Sequence, residues 1–409
     1  MPLLAVRPQC WQRIGSAGGG ALPPVASGCG DLPPATAGSP RPLTGQDGLL
    51  AMARTEGNEP VDHGGQSPAC GIAMALSPAD PPAEPGLPPP GIGVGTWAWG
   101  NQLLWGYDPD QDPQLRACFR RAVELGLRFF DTADSYGTGR LAGRSETLLG
   151  DFCAELEVAE RERLTVATKL APFPWRWGRG GYRRPFEASR RRLRGKLDLV
   201  QLHWSTARYL PWQEGPLLEG LADLVAEARV ASLGVSNLGP RGLRRLHRQL
   251  AARGVPLRSV QVQLSLLAPE AIAPGGVAEV CRELGIALIA YSPLALGFLA
   301  RASGPTPPLL KGPRALLGRR LWPRIQPLLQ AMEVIGGRHG AGNAAVALNW
   351  CRAHGALPLA GLRTAAQAEG AAAALGWTLT PLERQQLDGL ALTCGDAGGA
   401  MPANPFVSD

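Results

Sequence analysis

The 409-residue sequence predicts an α/β chain, a closed (β/α)8 barrel of the TIM type preceded by an unstructured N-terminal leader. Three observations predict it. From residue 91 onward, strand-like and helix-like segments alternate eight times. Several of the strand-like runs are apolar almost throughout, as parallel strands covered on both faces must be. Polar side chains then stand at or just past the C-terminal ends of those runs, the face on which a parallel barrel gathers its chemistry.

The strands are expected at 92–97, 127–132, 164–170, 197–204, 231–236, 260–265, 287–292 and 356–360. Between them, apolar residues recur at three- and four-residue spacing in 115–125, 186–196, 217–228, 242–252, 277–284 and 344–354, the period of an amphipathic helix. Gly126 and Gly254 supply helix stops. Two segments break the rhythm. Residues 171–185 follow the third strand and carry Trp175 and Trp177 among Gly and Arg, and residues 295–323 follow the seventh and are rich in Gly, Pro and basic side chains. Long loops at the catalytic end of a barrel act as lids or pocket walls. The runner-up fold, an open doubly wound sheet, needs G-x-G-x-x-G between a strand and a helix. Gly91-Ile92-Gly93-Val94-Gly95 has the wrong spacing and runs into Thr96-Trp97-Ala98-Trp99, which is no helix start.

The barrel is expected to occupy residues 89–395, with 396–409 as a C-terminal tail. Residues 1–88 are rich in Gly, Pro and Ala and lack a sustained period, so they cannot bury enough apolar surface to fold. Up to about residue 45 the leader has Arg7, Arg13 and Arg41 against one acid, Asp31. That acid-poor composition fits an organelle transit peptide; a disordered tail or a mis-assigned start codon fits it as well.

Hydrophobic residues make up 45% of the chain and charged ones 18%, enough apolar material for a sizeable core. No stretch reaches the ~18 uninterrupted apolar residues of a membrane helix, so no membrane span is expected. The net charge of +7 comes largely from Arg, as in Ser189-Arg190-Arg191-Arg192-Leu193-Arg194, and reads as a solvated helix face. With no helix-turn-helix, zinc-finger or RNP pattern beside it, no nucleic-acid partner is expected. The eight cysteines form no C-x-x-C pair, which argues against a zinc site or a disulfide scaffold and for a reducing compartment. No metal ligand set is expected.

Asp131, Tyr136, Lys169 and His203 follow the second, third and fourth strands. Each has a plain structural reading: a turn acid, a rim aromatic, an outward-reaching charge, a core histidine. Their joint placement is what those readings explain poorly. Reducing a ketone or aldehyde requires hydride on carbon and a proton on oxygen. A phenol, Tyr136, is a natural donor if its pKa is brought down toward neutrality. An ammonium, Lys169, does this by stabilising the phenolate, and a carboxylate, Asp131, holds the ammonium charged. An imidazole, His203, orients the carbonyl oxygen. A Schiff-base enzyme with Lys169 as nucleophile is the competing chemistry.

Phe129-Phe130-Asp131-Thr132-Ala133-Asp134-Ser135-Tyr136-Gly137, continued by Ser145-Glu146-Thr147-Leu148-Leu149-Gly150, resembles the signature of the aldo-keto reductase family. Thr168-Lys169-Leu170 and Gln201-Leu202-His203-Trp204 are similar to that family's lysine and histidine motifs. The resemblance covers roughly 91–392. It implies a (β/α)8 barrel using NADPH and the four roles just given. It further implies that Ser236 and Asn237, in Gly234-Val235-Ser236-Asn237, and Gln263 bond the nicotinamide carboxamide. Tyr291 would stack on the nicotinamide ring, with Ser292 and Leu294 in the same strand-end turn. Asp131 would touch the ribose. Thr96 matches the first-strand threonine beside the cofactor. Gly361, Arg363 and Gln367 would meet the adenine end, Arg363 pairing the 2′-phosphate. Trp97, Trp99, Trp105 and Trp204 would line an apolar pocket for a small-molecule carbonyl such as a lipid aldehyde, a quinone-like compound or a pyridoxal-type aldehyde. Gly95-Thr96-Trp97-Ala98-Trp99-Gly100, Leu104-Trp105-Gly106 and Pro174-Trp175-Arg176-Trp177-Gly178-Arg179 look closest to a plant and algal plastid group of the family. That points to a plastid (chloroplast) address, with the cytoplasm as the alternative. The family also contains regulatory barrels that bind NADPH with little turnover. The intact tetrad argues against that role here.

Overall fold

The computed structural model describes residues 91–137, 139, 142–307 and 313–409; the leader expected over 1–88 lies outside the described residues. Eight parallel strands close into one barrel in sequence order: β1 (Gly93–Gly95), β2 (Phe129–Asp131), β3 (Thr165–Leu170), β4 (Leu199–Leu202), β5 (Ser232–Ser236), β6 (Leu257–Gln263), β7 (Ala287–Tyr291) and β8 (Ala356–Gly361). β8 pairs back onto β1, with Val94 opposite Ala360. All eight expected strands are present.

The period-two alternation of each strand divides the core in two. Val94, Phe130, Val166, Val200, Val235, Val260 and Leu288 point outward and pack under the helices. Phe129, Ala167, Leu199, Ile289, Leu357 and Leu359 point inward and fill the barrel floor. Two residues further along the same inward faces come Asp131, Lys169, Gln201 and Tyr291. The polar layer is therefore the apolar floor shifted one step toward the C-terminal mouth.

Helices follow the strands at Asp112–Glu124, Arg144–Ala154, Arg183–Arg192, Pro211–Ala226, Pro240–Ala251, Val277–Leu284, Asn343–Ala353 and Ala365–Ala372. Local chemistry sets their ends. Pro240 opens one helix where its missing N–H costs nothing. Gly285, at φ 64°, closes another in the left-handed conformation that suits glycine. Helices Pro313–Leu321 and Gln326–Arg338 build up the long segment after β7, and Pro381–Cys394 is started by a capping box of Thr380 and Glu383. Among the described residues no helix is long and apolar enough to cross a membrane. The expected tail does not leave the barrel: a π-type turn at Gly395–Gly399 sends residues 401–409 back across the strand ends.

Candidate active site

Asp131 is the last residue of β2 and Lys169 the last but one of β3, so both point into the polar layer. Both are almost fully buried, and the Lys169 ammonium is paired with Asp131 Oδ2. The same Nζ donates to the Thr132 carbonyl at 2.8 Å. The other carboxylate oxygen, Oδ1, accepts from Gln201 Nε2 at 3.0 Å and Gln261 Nε2 at 2.8 Å. A buried ion pair is tolerable only with its remaining lone pairs satisfied, and the two glutamines do that. Gly234 makes room: a Cβ there would stand 2.4 Å from Ser259 Oγ and 3.0 Å from Gln201 Cγ, displacing the glutamine that serves Asp131.

Above this pair lie the aromatic partners. Lys169 Nζ is 4.9 Å from the centroid of the Tyr136 ring, and that ring meets His203 edge-on at 5.8 Å. His203 is the first residue past β4, and its N–H donates to the Leu170 carbonyl at 3.1 Å. Ser135 Oγ lies 3.3 Å from His203 Nδ1. Either atom can donate; a serine hydroxyl that donates to Nδ1 leaves the ring's proton on Nε2. All four sequence-chosen side chains thus meet at one point of the mouth.

The electrostatics differ from expectation in one respect. The Tyr136 phenol is pushed above its usual value by burial, which outweighs the lowering by Lys169; Asp131 adds to the rise. It therefore keeps its proton through neutrality, which suits a donor. Burial works against the Lys169 ammonium, but Asp131 and Tyr136 more than offset it and hold it charged. Burial, then Lys169 and Arg176, keeps His203 well below 6.5 and so neutral. Beside it, burial pushes Asp134 up to about 6 against the pull of its ion-pair partner Arg176. A phenol protonated and an imidazole neutral is thus the state of the site from pH 6.5 to 10.0, between their ordinary values. Carbonyl reduction is expected to show no ionisation of kcat/KM in that window. A break near neutrality that disappears in His203→Gln would mean that a charged imidazole takes part.

Ser236 and Asn237 stand at the end of β5. Ser236 Oγ donates to the Gln261 carbonyl at 2.9 Å. Asn237, at φ 59°, donates to the His203 carbonyl at 2.9 Å, and its Oδ1 accepts from the Tyr291 hydroxyl at 2.8 Å. Ser292 follows at φ 53° and half-buried Leu294 after it, turning the chain out of β7. Gln263, chosen for the carboxamide, lies two residues past Gln261 toward the mouth, in register with Tyr291. The glutamine that reaches Asp131 is Gln261. Thr96 is fully buried and its hydroxyl is committed to the Asp131 carbonyl (3.0 Å) and Ser145 Oγ (2.7 Å). It braces β1 against β2 and the helix beginning at Arg144, rather than offering its hydroxyl to a ligand.

The four tryptophans separate. Trp99 is a correction: it has no exposed surface, packs on Phe152 and donates to the Leu362 carbonyl at 2.8 Å, so it belongs to the core and lines no pocket. Trp204 stays at the mouth, 4.9 Å from His203 and 4.7 Å from Phe406. Trp97 is partly exposed and meets Trp105 edge-on at 6.1 Å. Trp105 in turn faces two guanidiniums, Arg314 at 4.3 Å and Arg363 at 5.5 Å. It belongs as much to this cationic corner as to an apolar pocket.

Of that corner the sequence named Gly361, Arg363 and Gln367, but not Arg314 or Arg301. Arg363 donates to the Trp105 carbonyl at 3.2 Å; Gln367 Oε1 accepts from the Arg363 N–H at 2.8 Å, next to exposed Gly361. Arg314 donates to the Leu296 carbonyl at 3.0 Å, but its Nε is buried without a partner, as is Trp105 Nε1. Its pKa is lowered by burial, then by Arg363 and Arg301. Among the described residues no carboxylate pairs with any of the three arginines. Orphaned donors and uncompensated like charge are the marks of a site built for an anion. The sequence signals for Gln201 and Gln261 were present: each is a polar residue at inward parity in an apolar strand. Arg314 stood among the basic residues of the 295–323 segment with nothing to single it out.

A parallel barrel whose mouth carries a buried Lys–Asp pair under a phenol and an imidazole, with a cationic corner at β7 and β8, defines an oxidoreductase. The chain belongs to the aldo/keto reductase family, whose family model matches residues 91–391. It is 46% identical over 302 residues to a pyridoxal reductase, chloroplastic, of Arabidopsis thaliana, covering 73% of this chain and 82% of that one. A 6-dehydroglucose reductase of Novosphingobium aromaticivorans is 31% identical over 304 residues, covering 72% and 90%. Among solved structures, an aldo/keto reductase of Klebsiella pneumoniae in complex with NADP and acetate superposes with a TM-score of 0.59 at 25% identity, covering 78% of this chain and 95% of that one.

Proposed function

We propose that this protein is an NADPH-dependent reductase of a small aromatic aldehyde, pyridoxal or a close analogue, acting in a plastid. The observation that carries the reading is the convergence of Tyr136 and His203 over the buried Lys169–Asp131 pair. The printed activity of the Arabidopsis relative and the NADP in the Klebsiella structure support it. The chloroplastic relative likewise supports the plastid address.

The residues fit the cofactor at both ends. Ser236, Asn237 and Tyr291 present donors and acceptors to a carboxamide. Arg314, Arg363 and Arg301 present guanidiniums to phosphates, and the buried orphan Nε of Arg314 is the clearest sign that an anion completes that corner. When bound, the nicotinamide supplies hydride to the carbonyl carbon. The chain's own residues do the rest. His203 Nε2–H, fixed by Ser135 on Nδ1, donates to the carbonyl oxygen and orients it. Tyr136 delivers its proton to that oxygen as negative charge develops there. Lys169, held by Asp131, stabilises the phenolate left behind. Trp204 and Phe406 offer aromatic faces to a pyridine-like ring, and Phe173, stacked on Trp175 at 4.7 Å, closes the same side.

The test is a calorimetric titration with NADPH and NADH, followed by nicotinamide oxidation with pyridoxal and a panel of aldehydes. NADPH should bind at least about ten-fold tighter, the worth of one charge-assisted phosphate contact. Pyridoxal should be turned over faster than aliphatic aldehydes. Bound NADPH that no aldehyde oxidises would overturn the enzymatic reading.

A further inference from the structure

The last nine residues make an ordered set of contacts with the strand ends. The Met401 N–H donates to the Leu267 carbonyl at 2.7 Å, fastening one end beyond β6. The other end is fastened beyond β5. Leu238 and Ser408 form a parallel bridge, and Asp409 Oδ1 accepts from the Arg241 N–H at 2.6 Å, capping the helix Pro240–Ala251. Between these two anchors lies Asn404. Its Nδ2 donates to Asn237 Oδ1 at 3.0 Å and to the Tyr291 hydroxyl at 2.6 Å. Its own Oδ1 accepts from the Phe406 N–H at 2.9 Å, which aims the amide nitrogen at that pair.

An asparagine side chain is a primary carboxamide, the same group that the nicotinamide ring carries. Asn237 and Tyr291 are two of the three side chains assigned above to the nicotinamide end. We propose that Asn404 is an internal carboxamide: it holds Asn237 and Tyr291 in the cofactor-free enzyme and yields them when the cofactor's carboxamide arrives. The inference rests on the function proposed above. Its consequence is a built-in competitor that weakens cofactor binding and so favours release of the spent cofactor. A competitor covalently attached and anchored on both sides acts at high effective concentration, and its cost to affinity is the fraction of time it holds the pair.

The experiment measures affinity on the full-length protein by calorimetry, with two ligands and three variants. The ligands are NADPH and 2′,5′-ADP, which carries the phosphate end but no carboxamide. Asn404→Ala removes the competitor. Asn404→Ser is too short to reach Asn237 and Tyr291 but keeps an oxygen for the Phe406 N–H, so the turn of the tail is retained without an added charge. Both should bind NADPH about three- to ten-fold tighter, the worth of one net hydrogen bond, with 2′,5′-ADP unchanged. Unchanged or weaker NADPH binding, or an equal tightening of 2′,5′-ADP, overturns the proposal. Asn237→Ala separates it from the parent reading. That variant should weaken NADPH. If it does not, the nicotinamide assignment fails and the proposal with it. If it does while both Asn404 variants match the parent, only the displacement is wrong.

Discussion

Tyr136→Phe is expected to lower turnover of any accepted carbonyl by about two orders of magnitude or more, with NADPH affinity retained. The substitution deletes one hydroxyl and little else. The ring keeps its edge contact with His203, and Lys169 keeps Asp131 and the Thr132 carbonyl as partners. The loss therefore reports the proton donor and not a collapsed site. Because burial holds the phenol above its ordinary value, the donor is fully protonated at neutral pH, and its acidity matters only as charge grows on the substrate oxygen. The measurement is single-turnover oxidation of bound NADPH, which isolates the chemical step from product release. A rate equal to that of the parent would remove Tyr136 from the mechanism.

The barrel was readable because its signal is local and repeated. Each strand declares itself by an apolar run and six of the helices by a three-four period, so errors in those elements stayed at the boundaries; the helices Arg144–Ala154, Gln326–Arg338, Ala365–Ala372 and Pro381–Cys394 are not among those named, and Pro313–Leu321 lies in a segment read as a loop. β1 ends at Gly95, short of the expected Trp97, because the chain turns there: the Thr96 N–H still reaches the Asp131 carbonyl, but the Trp99 N–H already folds back to Thr96. β6 begins at Leu257, earlier than the apolar run suggests, because pairing of Ser259 with Ala287 carries the polar start into the sheet. The side chains that the sequence placed together at the strand ends, Asp131 and Lys169, are together. Depth along the barrel axis is another matter. Gln261 and Gln263 share a face, and only the hydrogen bond across the barrel shows which one meets Asp131. Parity says nothing in a turn, so Trp97, Trp99 and Trp105 look alike in sequence and end at the rim, in the core and against two arginines. Asn404 meets partners 167 and 113 residues earlier in the chain, and no local pattern announces such a contact.

Lys169→Met is expected to cost both activity and fold. Lys169 and Asp131 are each almost fully buried, and the ammonium is the only cation paired with that carboxylate among the described residues. Without it, Asp131 keeps two neutral donors, Gln201 and Gln261, in a layer closed to water from below by Phe129, Ala167 and Leu199. Breaking a buried pair by deleting one partner costs roughly 3–5 kcal/mol, because the other charge stays behind uncompensated. That is a large share of an ordinary domain's stability. If the stranded charge is the cause, deleting it as well must help. The double variant Lys169→Met with Asp131→Asn should recover part of the loss, since the asparagine keeps an acceptor for the glutamines and carries no charge. Urea unfolding of parent, single and double variants reads this directly, with the midpoint of the double lying between the other two. A double variant less stable than Lys169→Met alone would show that the carboxylate is stabilised by the glutamines without its ammonium. Activity gives the second readout: neither variant should recover turnover, because the phenolate left by Tyr136 has lost the charge that stabilised it.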